Sequence, residues 1–362
     1  MNNQSLDVYQ HVQRVLIAVG IVALFLVLVY LLYRAAQILL LLFACILVAV
    51  FLDGLAVYLS DRTLLSRGWA LALVLTLLLV ISVAGGWLMG PRIADQVVQL
   101  TERIPDAVES IRSGLLQYEW VQRLLSSTPE PQQILPLGSE VLGSLTGIFS
   151  TAVGYVTSVP VVLFLGVYLA ASPHLYIKGA IHLLPLARRN RAREVFDALG
   201  QALRWWLIGR MASMAVVGAL TVLGLSIIGV SLALTLGLIA ALLSFVPYLG
   251  PVLSAIPALL VVLVESPKKV IHVALVYSAV QALESYFITP LIQHRAVSIP
   301  PALLLIAQIL MGVLAGPVGV LLSTPLAVVV VVVVQMLYVQ DVLGDSIEAL
   351  GEQSSSHTPS GG

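Results

Sequence analysis

From Trp69 to Gly90 the chain carries no charged residue, and runs of this kind recur along its whole length. About 20 consecutive apolar residues cross the ~30 Å hydrocarbon core of a bilayer as one helix. Within lipid, each backbone N–H and C=O has to find its partner inside the protein, so helices and closed barrels are the two spanning solutions. Runs this long and continuous select the helix. Composition agrees: 59% of residues are hydrophobic and 10% are charged, against about 25% charged in ordinary globular chains. Mean hydropathy is +1.03. The sequence therefore describes an all-α integral membrane protein of about eight transmembrane helices, some broken by proline and glycine, with amphipathic helices outside the membrane.

Taken in order, residues 1–90 form a membrane region of three spans, Val15–Tyr33, Ala35–Leu59 and Trp69–Gly90. Val15–Tyr33 exceeds a signal-peptide core and has no small-residue cleavage site after it, so it is expected to stay as a first span. Residues 91–143 interleave acids and bases, with apolar residues at Val97, Leu100, Ile104, Val108, Ile111 and Leu115. That spacing predicts an amphipathic excursion, kinked or divided at Pro105, ending in a loop over Ser126–Gly138. A fourth span, roughly Leu145–Ala171, occupies 144–172. Residues 173–210 carry Lys178, Arg188, Arg189, Arg191, Arg193, Arg204 and Arg210 beside Trp205 and Trp206, the composition of a basic interfacial helix on the bilayer surface. Residues 211–340 are the C-terminal membrane core, and 341–362 a polar, disordered tail.

Two breaks mark that core. The run Leu234–Val264 is too long for one straight span and contains Pro247, Tyr248, Gly250, Pro251 and Pro257, which predicts two half-helices joined by irregular backbone. The last run, Pro301–Leu337, holds Gly312, Gly316, Gly319 and Pro325 and reads either as one bent helix or as a re-entrant hairpin. Between the two breaks lies Val270–Ile288, whose single acid is Glu284. Tyr277, Gln281 and Glu284 stand at i, i+4 and i+7, on one helical face. An acid near the middle of a membrane helix costs roughly 2.5–3.5 kcal/mol on insertion scales, so it implies a partner or a task. The task is an ion or solute pathway beside broken helices. The alternative is packing, with Glu284 bonded to Gln281 or paired with Arg210 or Arg295.

Much chemistry is absent. There is no phosphate-binding Gly-x-x-x-x-Gly-Lys loop and no His-Glu-x-x-His. The single cysteine, Cys45, and six histidines show no ligand spacing, so neither metal nor cofactor is expected and the chain does not read as an enzyme. Zero net charge gives no reason to expect nucleic acid as a partner. The bilayer itself is the expected partner. With the basic segment inside, arginine and lysine favour a topology with both termini cytoplasmic.

The residues around the breaks resemble the autoinducer-2 exporter family of bacterial permeases. The resemblance rests on Phe245-Val246-Pro247-Tyr248-Leu249-Gly250-Pro251, on Glu284-Ser285-Tyr286 with Pro290, on Pro300, and on Gly312, Gly316, Gly319 and Pro325. It extends over nearly all of residues 10–340. Where many members carry Gly-Gln and a glycine, this chain has Gly209-Arg210 and His294. The resemblance implies a multi-pass inner-membrane permease that is homo-oligomeric and exports a small, neutral, polar signalling molecule. Other members resemble sodium- or lithium-proton antiporters, which would make a monovalent cation or a proton the partner. A non-transporting scaffold built on the 91–143 excursion is the reading of a different class.

Overall fold

The computed structural model describes Tyr30, residues 35–116, 159–288, Pro290 and 299–345, with backbone alone at Val97, Leu100, 101–116 and Ile288. The first span Val15–Tyr33 apart from Tyr30, the Ser126–Gly138 loop, the start of the fourth span, His294, Arg295 and the tail beyond 345 lie outside these residues. So do the side chains of the expected 97–115 apolar stripe. Every regular element among the described residues is helical. They include five helices long and apolar enough to cross a membrane, or six if one bent pair counts as a span.

Helix α1 is Ala35–Arg62 and α2 is Arg67–Leu116. Neither the expected stop at Gly90-Pro91 nor a division at Pro105 is found, since the helix runs through both without a break. A proline within a long helix removes one hydrogen bond, and the intact turns on either side carry the helix across. Helix α3, Val159–Ala171, meets α4, Pro173–His182, at an 80° bend, with Pro173 pre-set for the first turn of α4.

Helix α5, Arg189–Ile228, is 40 residues long. The sequence suggested a surface helix ending at Arg210 and a span starting at Met211, but here they form one rod. No proline intervenes, and the buried stripe Val195, Ala198, Ala202 continues into Leu207 and Val217. Gly229, at φ 75°, ends the rod with bonds from Val230 N–H to Leu225 O and from Gly229 N–H to Ser226 O, a Schellman closure that needs a left-handed residue.

The run 234–264 divides as expected into α6, Ala233–Leu243, and α7, Leu249–Glu265. Pro257 is no part of this division; it is buried within α7. Helix α8, Val270–Leu283, widens into a π-type turn over Glu284–Ile288. Helix α9, Pro301–Val333, continues as a π-type segment Val334–Gln340.

Between the two readings left open for 301–337, the reversal is the one found. Gly316 has φ 63° and ψ −149°, a combination essentially reserved for glycine. A Cβ on Gly319 would lie 2.1 Å from Met311 O, and one on Gly312 would lie 3.0 Å from Val320. Residues eight apart in a straight helix are ~12 Å apart along the axis, so these contacts require the legs 301–315 and 317–333 to fold back on one another. Pro325 interrupts nothing; it is buried in the second leg.

Helix α5 is the hub. Its first half packs with Leu40 and Leu47 of α1 and with Leu322, Val328, Val332 and Met336 of α9. Its second half packs with α6, α7 and α8 through Leu225, Leu236, Val261 and Val273. Glycines allow close approach here: Cβ atoms on Gly218 and Gly237 would lie 2.7 Å from Ala241 and 2.2 Å from Val222, the small-residue packing used between membrane helices.

Candidate functional site at the helix breaks

The site begins with the backbone between α6 and α7. Tyr248 has φ 63° and ψ −53°, and Leu249 N–H reaches back to Pro247 O at 2.7 Å. Together they make a γ-turn centred on a non-glycine residue, a rare and strained conformation. Gly250 lets the chain double back against α6, since a Cβ there would sit 1.9 Å from Leu243 O. Pro251 stands in the first turn of α7, where its missing N–H costs little. The break rests on α5 through an edge-to-face contact of Phe245 with Trp206, centroids 5.6 Å apart.

Irregular backbone leaves carbonyls without helical partners, and side chains from elsewhere meet two of them. Arg210 of α5 donates through Nε to Phe245 O at 3.1 Å. Gln308, in the first leg of α9 and 0% exposed, donates through Nε2 to Pro247 O at 2.9 Å. One hydrogen-bonded unit thus joins α5, the α6–α7 break and the α9 hairpin.

Glu284 completes it. The carboxylate lies where α8 becomes a π-type turn, and such turns recur at functional sites. Its Oε1 accepts from Arg210 Nη1 at 3.2 Å and from Ser213 Oγ at 2.7 Å. Side-chain exposure is 12% for Arg210 and 5% for Glu284. A pair this buried is held by mutual attraction against a desolvation cost of several kcal/mol per ion. The cluster is also incompletely satisfied. Arg210 Nη2, Glu284 Oε2, Gln308 Oε1 and the Tyr277 hydroxyl are buried with no hydrogen-bond partner among the described residues. Each polar atom left unmet costs about 1–3 kcal/mol, so a native protein meets such groups with an ordered water, an ion or a ligand, or holds them for a role.

The structure thus pairs Glu284 with Arg210, one of the two partners anticipated; the other, Arg295, lies outside the described residues. Gln281 takes no part in holding Glu284. Its amide donates instead to Ser285 Oγ at 3.3 Å. Tyr277 packs its ring between α5, α6 and α8, two turns from Glu284. Pro247, Tyr248, Gly250 and Pro251 form the first break; Gly312, Gly316 and Gly319 form the second. Sequence reasoning missed Ser213 and Gln308. Ser213 looks like one more small packing residue. Gln308, however, is the single polar side chain between Pro301 and Gly316, a signal as plain as Glu284.

Among the described residues no group of histidine, cysteine or acid side chains could hold a metal ion. What the site offers is a balanced charge pair with spare donors and acceptors, beside irregular backbone.

A family model described as AI-2E family transporter matches residues 19–338. YueF of Bacillus subtilis, whose name makes it a transport protein by inference, is 27% identical over 67% of this chain and 69% of its own length. YrrI of the same organism, named likewise, is 27% identical over 66% of this chain and 70% of its own. MT0215 of Mycobacterium tuberculosis, again so named, is 29% identical over 72% and 73%.

Proposed function

Because the chain belongs to the AI-2E transporter family, we propose that it is an ATP-independent permease whose pathway passes the Arg210–Glu284 pair and exports a small, neutral, polar solute such as the autoinducer-2 signalling molecule. The observation that carries this reading is the set of unpartnered buried atoms on the hydrogen-bonded unit that includes that pair: a guanidinium N–H, a carboxylate oxygen and an amide oxygen. A hydroxylated molecule both donates and accepts, so it can engage both kinds at once. The charge balance favours a neutral solute over a cation. Glu284 already has its counter-charge in Arg210, and a sodium or lithium ion would have to compete with a guanidinium for the same carboxylate. A broken helix at the pair, tied by Gln308 to the first leg of a second one, is consistent with the arrangement by which transporters place binding groups at membrane depth. In this reading the protein is a multi-pass, homo-oligomeric permease of the cell inner membrane, with both termini cytoplasmic, and not an enzyme.

The test is efflux of labelled solute from proteoliposomes without nucleotide, with an internal pH dye, comparing wild type with Glu284→Gln and Gln308→Ala. Solute efflux in the wild type, slowed in both variants, with no proton signal on sodium or lithium pulses, is the expected result. Proton movement on those pulses, lost in Glu284→Gln, would replace solute export with sodium(lithium)/proton antiport. Absence of both signals in correctly folded protein would leave the scaffold reading.

A further inference from the structure

A second ionic cluster lies away from the pair and has no place in the pathway. Asp53 of α1 is its centre. Arg67, the first residue of α2, donates to Asp53 Oδ1 through Nε at 3.0 Å and through Nη2. Arg204 of α5 donates through Nη2 to Asp53 Oδ2 at 3.1 Å. Arg67 Nη1 also reaches His174 Nε2 of α4 at 3.0 Å; since arginine can only donate, that nitrogen accepts. Three helices therefore meet at one carboxylate, and α4 joins them through Arg67.

The charges do not balance. Two guanidinium groups share a single carboxylate, leaving one positive charge in surplus. The donors do not balance either: Arg204 Nε is buried without a hydrogen-bond partner. Both arginines remain reachable, with side chains 35% and 33% exposed. Arg204 is held in place by a close approach, its Cγ only 2.9 Å from where a Cβ on Gly54 would stand.

The level of the cluster is set by Arg67, one residue (Gly68) ahead of the apolar run opening at Trp69. Here the spans leave the hydrocarbon. The surroundings are amphipathic: Trp69, Tyr58, Leu64 and Leu175 are large apolar side chains with more than half their surface exposed. Aromatic rings at this level are membrane-interface anchors. A phosphate with acyl chains matches a forked pair of donors beside exposed apolar surface, and basic pockets between helices are recognised lipid-headgroup sites. A free phosphate would have no use for the apolar rim.

We infer that Arg67, Arg204 and His174, gathered around Asp53 as a resting counter-charge, form a binding site for the phosphate headgroup of an anionic phospholipid. This site is independent of the transport reading.

The test uses the full chain purified in neutral detergent. Lipid retention by native mass spectrometry and thermal unfolding are followed against added phosphatidylglycerol, phosphatidylcholine or inorganic phosphate. Phosphatidylglycerol should be retained and protect the wild type more than phosphatidylcholine does. Arg204→Gln should bind it about tenfold more weakly, the worth of one charge-assisted contact, and Arg204→Lys should recover part of that. Asp53→Asn separates a site from mere scaffolding. It releases both guanidinium groups, so the unliganded protein melts earlier while phosphatidylglycerol binds at least as tightly. Equal loss of lipid in Asp53→Asn and Arg204→Gln would overturn the site, as would equal protection by phosphatidylcholine. Equal protection by inorganic phosphate would make it a free-anion site and overturn the lipid assignment.

Discussion

At the scale of single residues, the buried pair behaves as a coupled unit. Removing one member of a buried ion pair strands the other charge, which typically costs 3–5 kcal/mol. Arg210→Gln should therefore lower stability by about 3 kcal/mol, and Glu284→Gln by somewhat less, since the amide can still accept from Ser213. The double variant should recover at least 1 kcal/mol relative to the sum of the two. A double-mutant cycle of unfolding midpoints in detergent checks this, and additive losses would mean the two side chains do not interact. Tyr248 carries the opposite expectation. Its ring is 44% exposed, so little packing is lost on replacement, whereas its positive φ is strained by about 1–3 kcal/mol. Tyr248→Gly should keep or raise the melting temperature, and a clear fall would show that the ring, not the backbone, matters at that position.

At the scale of elements, glycines decide whether the breaks can close as they do. Gly319→Ala puts a methyl group against the backbone of Met311, which cannot give way without parting the legs of the hairpin. Gly312→Ala meets only the end of a valine side chain at 3.0 Å. The first should cost several times more stability than the second, with overpacking penalties of about 1–3 kcal/mol as the guide. Thermal melts of the two variants side by side give the comparison. The positions of both breaks were legible in the sequence, because proline and glycine cluster there and almost nowhere else within an apolar run. Their shapes were not: a glycine that permits a bend equally permits a reversal, and only the packing of 311 on 319 selects one. Prolines misled where the helix could run on through them. Pro91, Pro105, Pro257 and Pro325 each remove a single hydrogen bond, and the neighbouring turns absorb the loss. The Glu284–Arg210 pairing stood among several sequence alternatives, since Arg210 appeared to belong to a surface helix. It became decidable only once α5 was seen to run on as one rod.

At the scale of the whole molecule, α5 touches almost everything. Near its first turn, Arg191 binds the end of α9 through Asp341 at 2.9 Å, Gln340 at 2.6 Å and Met336 O at 2.9 Å. Arg191→Ala should loosen that end alone. Hydrogen exchange over 334–343 should accelerate while α6 and α7 keep their protection, and acceleration in all of them would mean that the contact holds the entire bundle. Further along the same rod, Arg204 stands in the boundary cluster and Arg210 in the buried pair, six residues and ~9 Å of helix apart. No proline lies between them, and Gly209 is buried within the unbroken helix. One continuous helix carries both side chains, so whatever displaces Arg204 displaces Arg210 with it, and the boundary cluster and the buried pair share a single moving part.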